Sequence, residues 1–289
     1  MNNTPLVTIG IPCYNAAKFI EIAVHSVLNQ TFSNFELIIT DDGSTDRTLE
    51  ILRQIKDPRL KLIVDKENHG ISYRLNQQID MAQGKYFVRM DADDIMFPDR
   101  VEKQILFLES HPDVDVVGTS AIIIGDDNEI LGIRNSTFNF SKPISFENST
   151  VFIHPTVAGK TDWFRRYHYK DEFKGCEDCN LWIRSYAESK FHILEEPLYF
   201  YREPLIFKLP TYLYRRKQGR LMSIAERNYF SDNNKLGLFL LRSWFIGIVA
   251  TFMYYLGMDS YMISKRNKVL SHPQKEIYNR ILSSIINVL

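Results

Sequence analysis

The chain has 289 residues, 45% apolar, 13% aromatic and 24% charged, which excludes a fibrous or disordered polymer and allows a sizeable core. Its 35 Lys/Arg equal its 35 Asp/Glu, which speaks against a general nucleic-acid binder. Three cysteines (Cys13, Cys176, Cys179) are too few for a disulfide framework. No basic-then-apolar leader precedes the first strand-like run, so a cytoplasmic location is expected. The neutral total hides an asymmetry: residues 208–289 hold 13 Lys/Arg against 4 Asp/Glu, leaving 22 against 31 in residues 1–207. An acidic body and a basic tail suggest a cation to hold and an anionic surface to meet.

Leu6 to Ile11 is a nearly continuous apolar run, the mark of a strand buried on both faces, and Pro12 is expected to end it. Helical spacing follows over Ala17 to Asn29, then a strand pattern over Phe35 to Thr40. The alternation continues with a helix over Thr45 to Ile55, a strand over Leu60 to Val64 and a helix over Ser72 to Ala82. A strand over Tyr86 to Met90 and a helix over Pro98 to Glu109 complete it. Such alternation predicts parallel strands joined by crossover helices. After Pro112 the strand candidates Val114 to Gly118, Ser120 to Ile124 and Glu129 to Arg134 are separated by short polar turns, which favours hairpins. A looser stretch covers Asn135 to Ser149. A helix is predicted over Glu177 to Glu188 and a strand near Pro197 to Tyr201.

Three acidic clusters stand at predicted strand ends or a helix entry: Asp41-Asp42-Gly43-Ser44-Thr45-Asp46, Asp91-Ala92-Asp93-Asp94 and Glu177-Asp178. In open α/β sheets those ends line the ligand crevice. Capping and turn formation account for Ser44 to Asp46, but not for a second carboxylate beside Asp41. Asp91 and Asp93 lie two apart on an extended chain and point to one side. Such a pair raises a carboxyl pKa unless a cation intervenes, and oxygen ligands favour Mg²⁺ or Mn²⁺ over zinc. Glu177 and Asp178 suit either the N-terminal end of a helix dipole or a general base.

These segments together resemble the family 2 glycosyltransferases, inverting enzymes with the GT-A fold. The carriers are Val7-Thr8-Ile9-Gly10-Ile11-Pro12-Cys13-Tyr14-Asn15, Ser26-Val27-Leu28-Asn29-Gln30-Thr31, the Asp41 to Asp46 turn, Asp91-Ala92-Asp93-Asp94 and Glu177-Asp178-Cys179-Asn180-Leu181-Trp182, in order over about residues 5 to 202. The resemblance implies an α/β fold, a Rossmann-like mixed sheet flanked by helices, as a catalytic domain over residues 1–207. It implies a nucleotide-diphosphate sugar donor, a UDP-sugar first, and a saccharide or lipid-linked saccharide acceptor in cell-surface polysaccharide or glycolipid synthesis. Pro12, Tyr14, Asn15, Asp42, Asp91 and Arg74 would bind the nucleotide, Asp93 and Asp91 the Mg²⁺ or Mn²⁺, and Asp178 would be the catalytic base. His154, Glu177, Trp182 and Arg202 would lie near the acceptor or the diphosphate.

Two departures from the family pattern stand out. Arg74 comes one position early after Asn68-His69-Gly70, and Tyr201-Arg202-Glu203-Pro204 has proline where relatives often carry a histidine. A metal-dependent nucleotidyltransferase and a noncatalytic membrane-surface module are the alternatives. The first is disfavoured by the lack of a glycine-rich, lysine-bearing phosphate loop near the first strand, the second by intact Asp42, Asp91, Asp93 and Asp178.

Residues 208–289 read as a basic, largely helical extension. Within it, Trp244 to Leu256 is an uninterrupted apolar run of 13 residues, short of the roughly 20 that span a bilayer. With Arg215, Arg216, Lys217 and Arg220 ahead of it and Lys265-Arg266-Asn267-Lys268 behind, an interfacial anchor on an anionic membrane is expected. The chain would then be peripheral to the inner face of the cell membrane.

Overall fold

The computed structural model describes residues 4–204, 206–258 and 266–287. The first half alternates as expected: β1 (Val7–Cys13), α1 (Ile20–Leu28), β2 (Phe35–Asp42), α2 (Thr48–Gln54), β3 (Leu60–Asp65), α3 (Ile71–Met81) and β4 (Tyr86–Arg89). Strands β3-β2-β1-β4 are adjacent in that order and all parallel. β1 and β2 are buried almost end to end, which is why their sequences are runs rather than alternations.

Pro12 does not end β1. The Gly10 carbonyl accepts from Met90 N, so Gly10 and Pro12, two apart, both face β4, whose pairing stops at Gly10 with Arg89. The missing N–H of Pro12 therefore falls where no ladder bond is required. The strand continues to Cys13, paired on its other side with Asp41.

A short strand that the sequence did not announce, β5 (Ile95–Met96), precedes α4 (Arg100–Ser110). The expected strands Val114 to Gly118 and Ser120 to Ile124 are one strand, β6 (Val116–Ile124), buried throughout and uninterrupted at Thr119. At Gly118 a Cβ would stand 2.4 Å from Phe152 Cδ1, so glycine admits an aromatic ring against the sheet. β6 forms the expected hairpin only with β7 (Ile130–Arg134), across a turn in which Asn128 takes φ 64.

β8 (Ala158–Lys160) joins the two halves antiparallel, between β4 and β6. It leads into α5 (Thr161–Tyr167), and α6 (Glu177–Ser185) follows. The long β9 (Phe191–Arg202) runs parallel to β6, with register shifts near Pro197, and pairs with β5.

Among the described residues of the C-terminal extension are three longer helices: α7 (Leu209–Ala225), α8 (Leu236–Tyr255) and α9 (His272–Ile286). Leu282 and Ile285 of α9 enter the same core cluster as Ile95, Phe97, Ile122 and Phe200, so the extension closes the β5 side of the sheet. α8 packs on α7 through small residues, Ser243, Gly247 and Ala250, spaced along one side. Its large apolar residues point away: Trp244 is 61% exposed, Phe245 63% and Phe252 65%.

Candidate active site

The loop after β1 and the turn after β2 are stitched together by side chains. Asn15, at φ 51, accepts from Thr45 N (2.8 Å) and Asp46 N (3.3 Å), while its own N–H donates to Ser44 Oγ (2.9 Å). Asparagine tolerates the left-handed backbone and supplies the carbonyl that this turn requires. Tyr14, carried on the same loop, is half exposed.

Asp42, at the end of β2, is buried and fully engaged. It accepts from His69 N (2.9 Å), Gly70 N (2.9 Å) and Arg74 Nε (2.6 Å). The buried Arg74 guanidinium also donates to Asp65 Oδ2 (2.9 Å), Glu67 O (3.1 Å) and Gln77 Oε1 (3.0 Å). The Arg74 bond, with those from Glu67 N and Lys66 N, holds the Asp65 carboxyl down to about 2. Arg74 thus braces the β3–α3 loop against Asp42.

At the end of β4, Arg89 and Asp91 form a two-bond ion pair, Nη2 to Oδ1 at 2.6 Å and Nη1 to Oδ2 at 3.1 Å. Asp91 N also donates to Tyr199 Oη (3.2 Å). Two residues on, in the turn that follows, Asp93 is exposed. Surrounding protein and the Asp91 charge push its carboxyl up to about 6. Asp94 is fully buried and its carboxyl is raised well above the usual range, by burial and then by Asp93; its Oδ1 accepts from Arg202 N (2.6 Å). Its Oδ2 has no partner among the described residues.

Ligand atoms of Asp91, Asp93 and Asp94 lie within 4.8 Å of one another. Crowded carboxylates with raised pKa and an unpartnered buried oxygen fit a divalent cation with oxygen ligands. Asp93 is the member least committed to protein partners.

A cavity of about 820 Å³ opens beside this element. Pro12, Tyr14, Asn15 and Phe19 form one wall, Asp91 and Asp93 the floor, and Arg202, Lys208, Tyr212, Arg215, Arg216 and Arg266 the basic side. The structure therefore brings together Pro12, Tyr14, Asn15, Asp91, Asp93 and Arg202. Arg202 is buried there with its donors engaged by Asp93 O (2.7 Å), Gly125 O and Asn128 Oδ1 (2.7 Å), and its guanidinium stacks on the Phe19 ring at 4.1 Å.

Asp42, Arg74, His154, Glu177, Asp178 and Trp182 are not on this wall. Glu177 and Asp178 open α6, half-buried; burial raises both carboxyls, and for Glu177 the Asp178 charge adds to it. Glu177 accepts from Gly175 N (2.6 Å). His154 Nε2 meets Tyr169 Oη at 2.8 Å, and burial, with the Arg89 charge, keeps the imidazole well below its usual pKa. Trp182 is wholly buried in an aromatic core with Phe152, Trp163 and Phe191.

Sequence reasoning missed Arg89, two residues before Asp91, which its guanidinium reaches; the extended chain expected over Asp91 to Asp93 is instead a turn at Ala92-Asp93. The basic cluster of α7 was noticed but assigned to a membrane surface; that Arg215 and Arg216 line this cavity has no local signal.

The fold and sequence have known counterparts. The family model described as Glycosyl transferase family 2 matches residues 8–173. The putative glycosyltransferase EpsE of Bacillus subtilis is 34% identical over 212 residues, covering 70% of this chain and 75% of its own. An uncharacterized glycosyltransferase of Haemophilus influenzae is 30% identical over 96% of this chain and 87% of its own.

Among solved structures, S. aureus TarS 1-349 superposes with a TM-score of 0.62 at 21% identity, over 83% of this chain and 71% of that one. The mannosyltransferase PcManGT of Pyrobaculum calidifontis gives a TM-score of 0.57 at 17% identity, over 98% and 85%. The arrangement is the GT-A fold, and the chain belongs to Glycosyl transferase family 2, as a glycosyltransferase enzyme.

Proposed function

We propose that this enzyme transfers a sugar from a nucleotide-diphosphate sugar, a UDP-sugar first, to an acceptor hydroxyl with inversion, in polysaccharide or glycolipid synthesis. The carrying observation is the single cavity in which the loop after β1 meets Asp91 and Asp93. TarS has been crystallised with UDP-GlcNAc and PcManGT with GDP-Man and Mn²⁺, which supports a nucleotide-sugar donor and a divalent cation. Relatives named for teichuronic acid biosynthesis and for hyaluronan synthesis support a polysaccharide setting.

Asp93, with Asp91 and Asp94 behind it, would hold Mg²⁺ or Mn²⁺, which when bound offsets the charge of the diphosphate. Tyr14 and Asn15 present the nucleoside side of the cavity. Asp42 acts from beneath, by fixing the turn at His69 and Gly70. Arg89 neutralises Asp91, so that one free carboxylate rather than two faces the donor.

Asp178 serves as base: a carboxyl raised by burial takes a proton more readily than an exposed one. The acceptor hydroxyl gives its proton to Asp178, and its oxygen bonds the anomeric carbon from the face opposite the leaving group. The bond from that carbon to the diphosphate breaks, with its electron pair remaining on the phosphate oxygen. One carboxylate suffices for this displacement, and inversion follows.

Residues 1–207 then form the catalytic body, and 208–289 an extension that meets an anionic membrane at the inner face of the cell membrane. The segment Asn233–Tyr255 is long and apolar enough to cross a bilayer. Arg216 and Arg220 on α7 bond Ser243 midway along α8, however, so a spanning α8 would draw those cations into hydrocarbon. An in-plane helix keeps them in the headgroups.

The test is incubation with a panel of UDP- and GDP-sugars, Mn²⁺ and lipid-linked or free saccharide acceptors, with the product anomer read by NMR. Inverted product is expected. Product with the donor's anomeric configuration, or no sugar transfer from any donor in the panel, overturns the proposal.

A further inference from the structure

Helix α7 lies beyond the segment that the family model matches, yet it walls the cavity opposite Asp91 and Asp93. Its cations divide by direction. Lys208, at its start, and Arg215 and Arg216 line the cavity, while Lys217 and Arg220 line a separate groove of about 420 Å³ against Leu240, Leu241 and Trp244 of α8.

Most cavity cations are committed to protein groups. Arg202 holds the β4–β5 and β6–β7 turns, Arg216 donates to Ser243 O (3.2 Å) and Tyr212 Oη (3.2 Å), and Arg266 pairs with Glu203 (3.0 Å). Among the described residues, the side chains of Lys208 and Arg215 make no hydrogen bond or ion pair, and both are exposed to the cavity. Arg215 is nevertheless held in place. Its carbonyl accepts from the Cys176 thiol (3.6 Å), and a Cβ on Gly175 would stand only 3.2 Å from its Cγ, so the stem lies flat on the residue that leads into Glu177.

We infer that Arg215, assisted by Lys208, binds the donor diphosphate from the α7 side of the cavity; this rests on the nucleotide-sugar reading above. When the glycosidic bond breaks, its electron pair stays on the phosphate oxygen and the nucleotide gains a negative charge. That charge develops over a floor made of carboxylates. A guanidinium fork is the side chain best matched to two phosphate oxygens, and an uncommitted one facing that floor offsets the gain.

The test is calorimetric titration of the full chain with UDP, GDP, uridine and guanosine in Mn²⁺. Wild type is expected to bind one nucleoside diphosphate more tightly than its nucleoside. Arg215→Gln should weaken the diphosphate about tenfold and leave the nucleoside unchanged, which also shows that the site is folded. Arg215→Lys should fall between, Lys208→Gln in the Arg215→Gln background should weaken it further, and Lys217→Gln should match wild type. Wild-type diphosphate affinity in Arg215→Gln overturns this inference alone. Failure of wild type to bind either diphosphate overturns it together with the nucleotide-sugar reading.

Discussion

Arg89, the last residue of β4, and Asp91, two residues on and just past the strand, make a paired-bond ion bridge whose guanidinium is only 2% exposed. The bridge places a permanent positive charge beneath the acidic turn that follows β4, and Asp93, within that turn, faces the same cavity as Asp91. It offsets part of the repulsion between the adjacent carboxylates, although the Asp91 charge still raises Asp93. It also leaves Asp93 as the carboxylate free to face a ligand.

Removing that buried charge should be costly. Arg89→Met is expected to lower stability by about 3 kcal/mol, because Asp91 is then left without its partner. Combining it with Asp91→Asn should recover part of the loss. Urea unfolding midpoints of the two variants check this; equal midpoints for wild type and Arg89→Met would refute it.

Arg74 should make stability depend on acid pH through Asp65. Its folded-state pKa is depressed, to about 2 from 3.8, so the contribution is present above the unfolded value. It is lost as pH falls from about 4 through about 2. In Arg74→Met this acid dependence should shrink, the Glu67 and Lys66 N–H bonds to Asp65 remaining, while stability at neutral pH also drops because Asp42 loses its Nε–H donor. Denaturation curves across that window measure both effects, and an unchanged acid slope would count against the assignment.

Asp178→Asn should cut transfer by about 10²- to 10⁴-fold with donor KM nearly unchanged, since only the proton acceptor is lost. Asp93→Ala should instead weaken Mn²⁺-dependent donor binding. Wild-type turnover in Asp178→Asn with the true acceptor would assign the base elsewhere.

The outward face of α8 should bind lipid. Wild type is expected to float with vesicles containing anionic phosphatidylglycerol and less with pure phosphatidylcholine, weakening as salt screens the cations. Trp244→Glu with Phe245→Glu should reduce flotation about tenfold. Absence of wild-type flotation on anionic vesicles would sink the membrane reading.

The alternation of buried runs and helical spacing up to Glu109 was enough to lay out the parallel half of the sheet, because each of those elements shows its burial in its own residues. The convergence of Asp91 and Asp93 was legible from their spacing, but the geometry was not: the expected extended chain is a turn at Ala92-Asp93, and that turn brings the carboxylates together. The break expected between Gly118 and Ser120 does not occur, because whether a strand continues past a glycine depends on what packs against it, here Phe152. Pro12 misled because whether its missing N–H matters depends on where β4 stops pairing.

The residues alone determined the fold class and the floor of the cavity, both products of local periodicity and short spacing. Which carboxylates reach the cavity, which arginines already have partners, and that α7 closes the basic side depended on contacts between residues up to about 130 positions apart, such as Arg134 with Asn267. No spacing rule reaches that far, because those contacts are set by how whole elements pack.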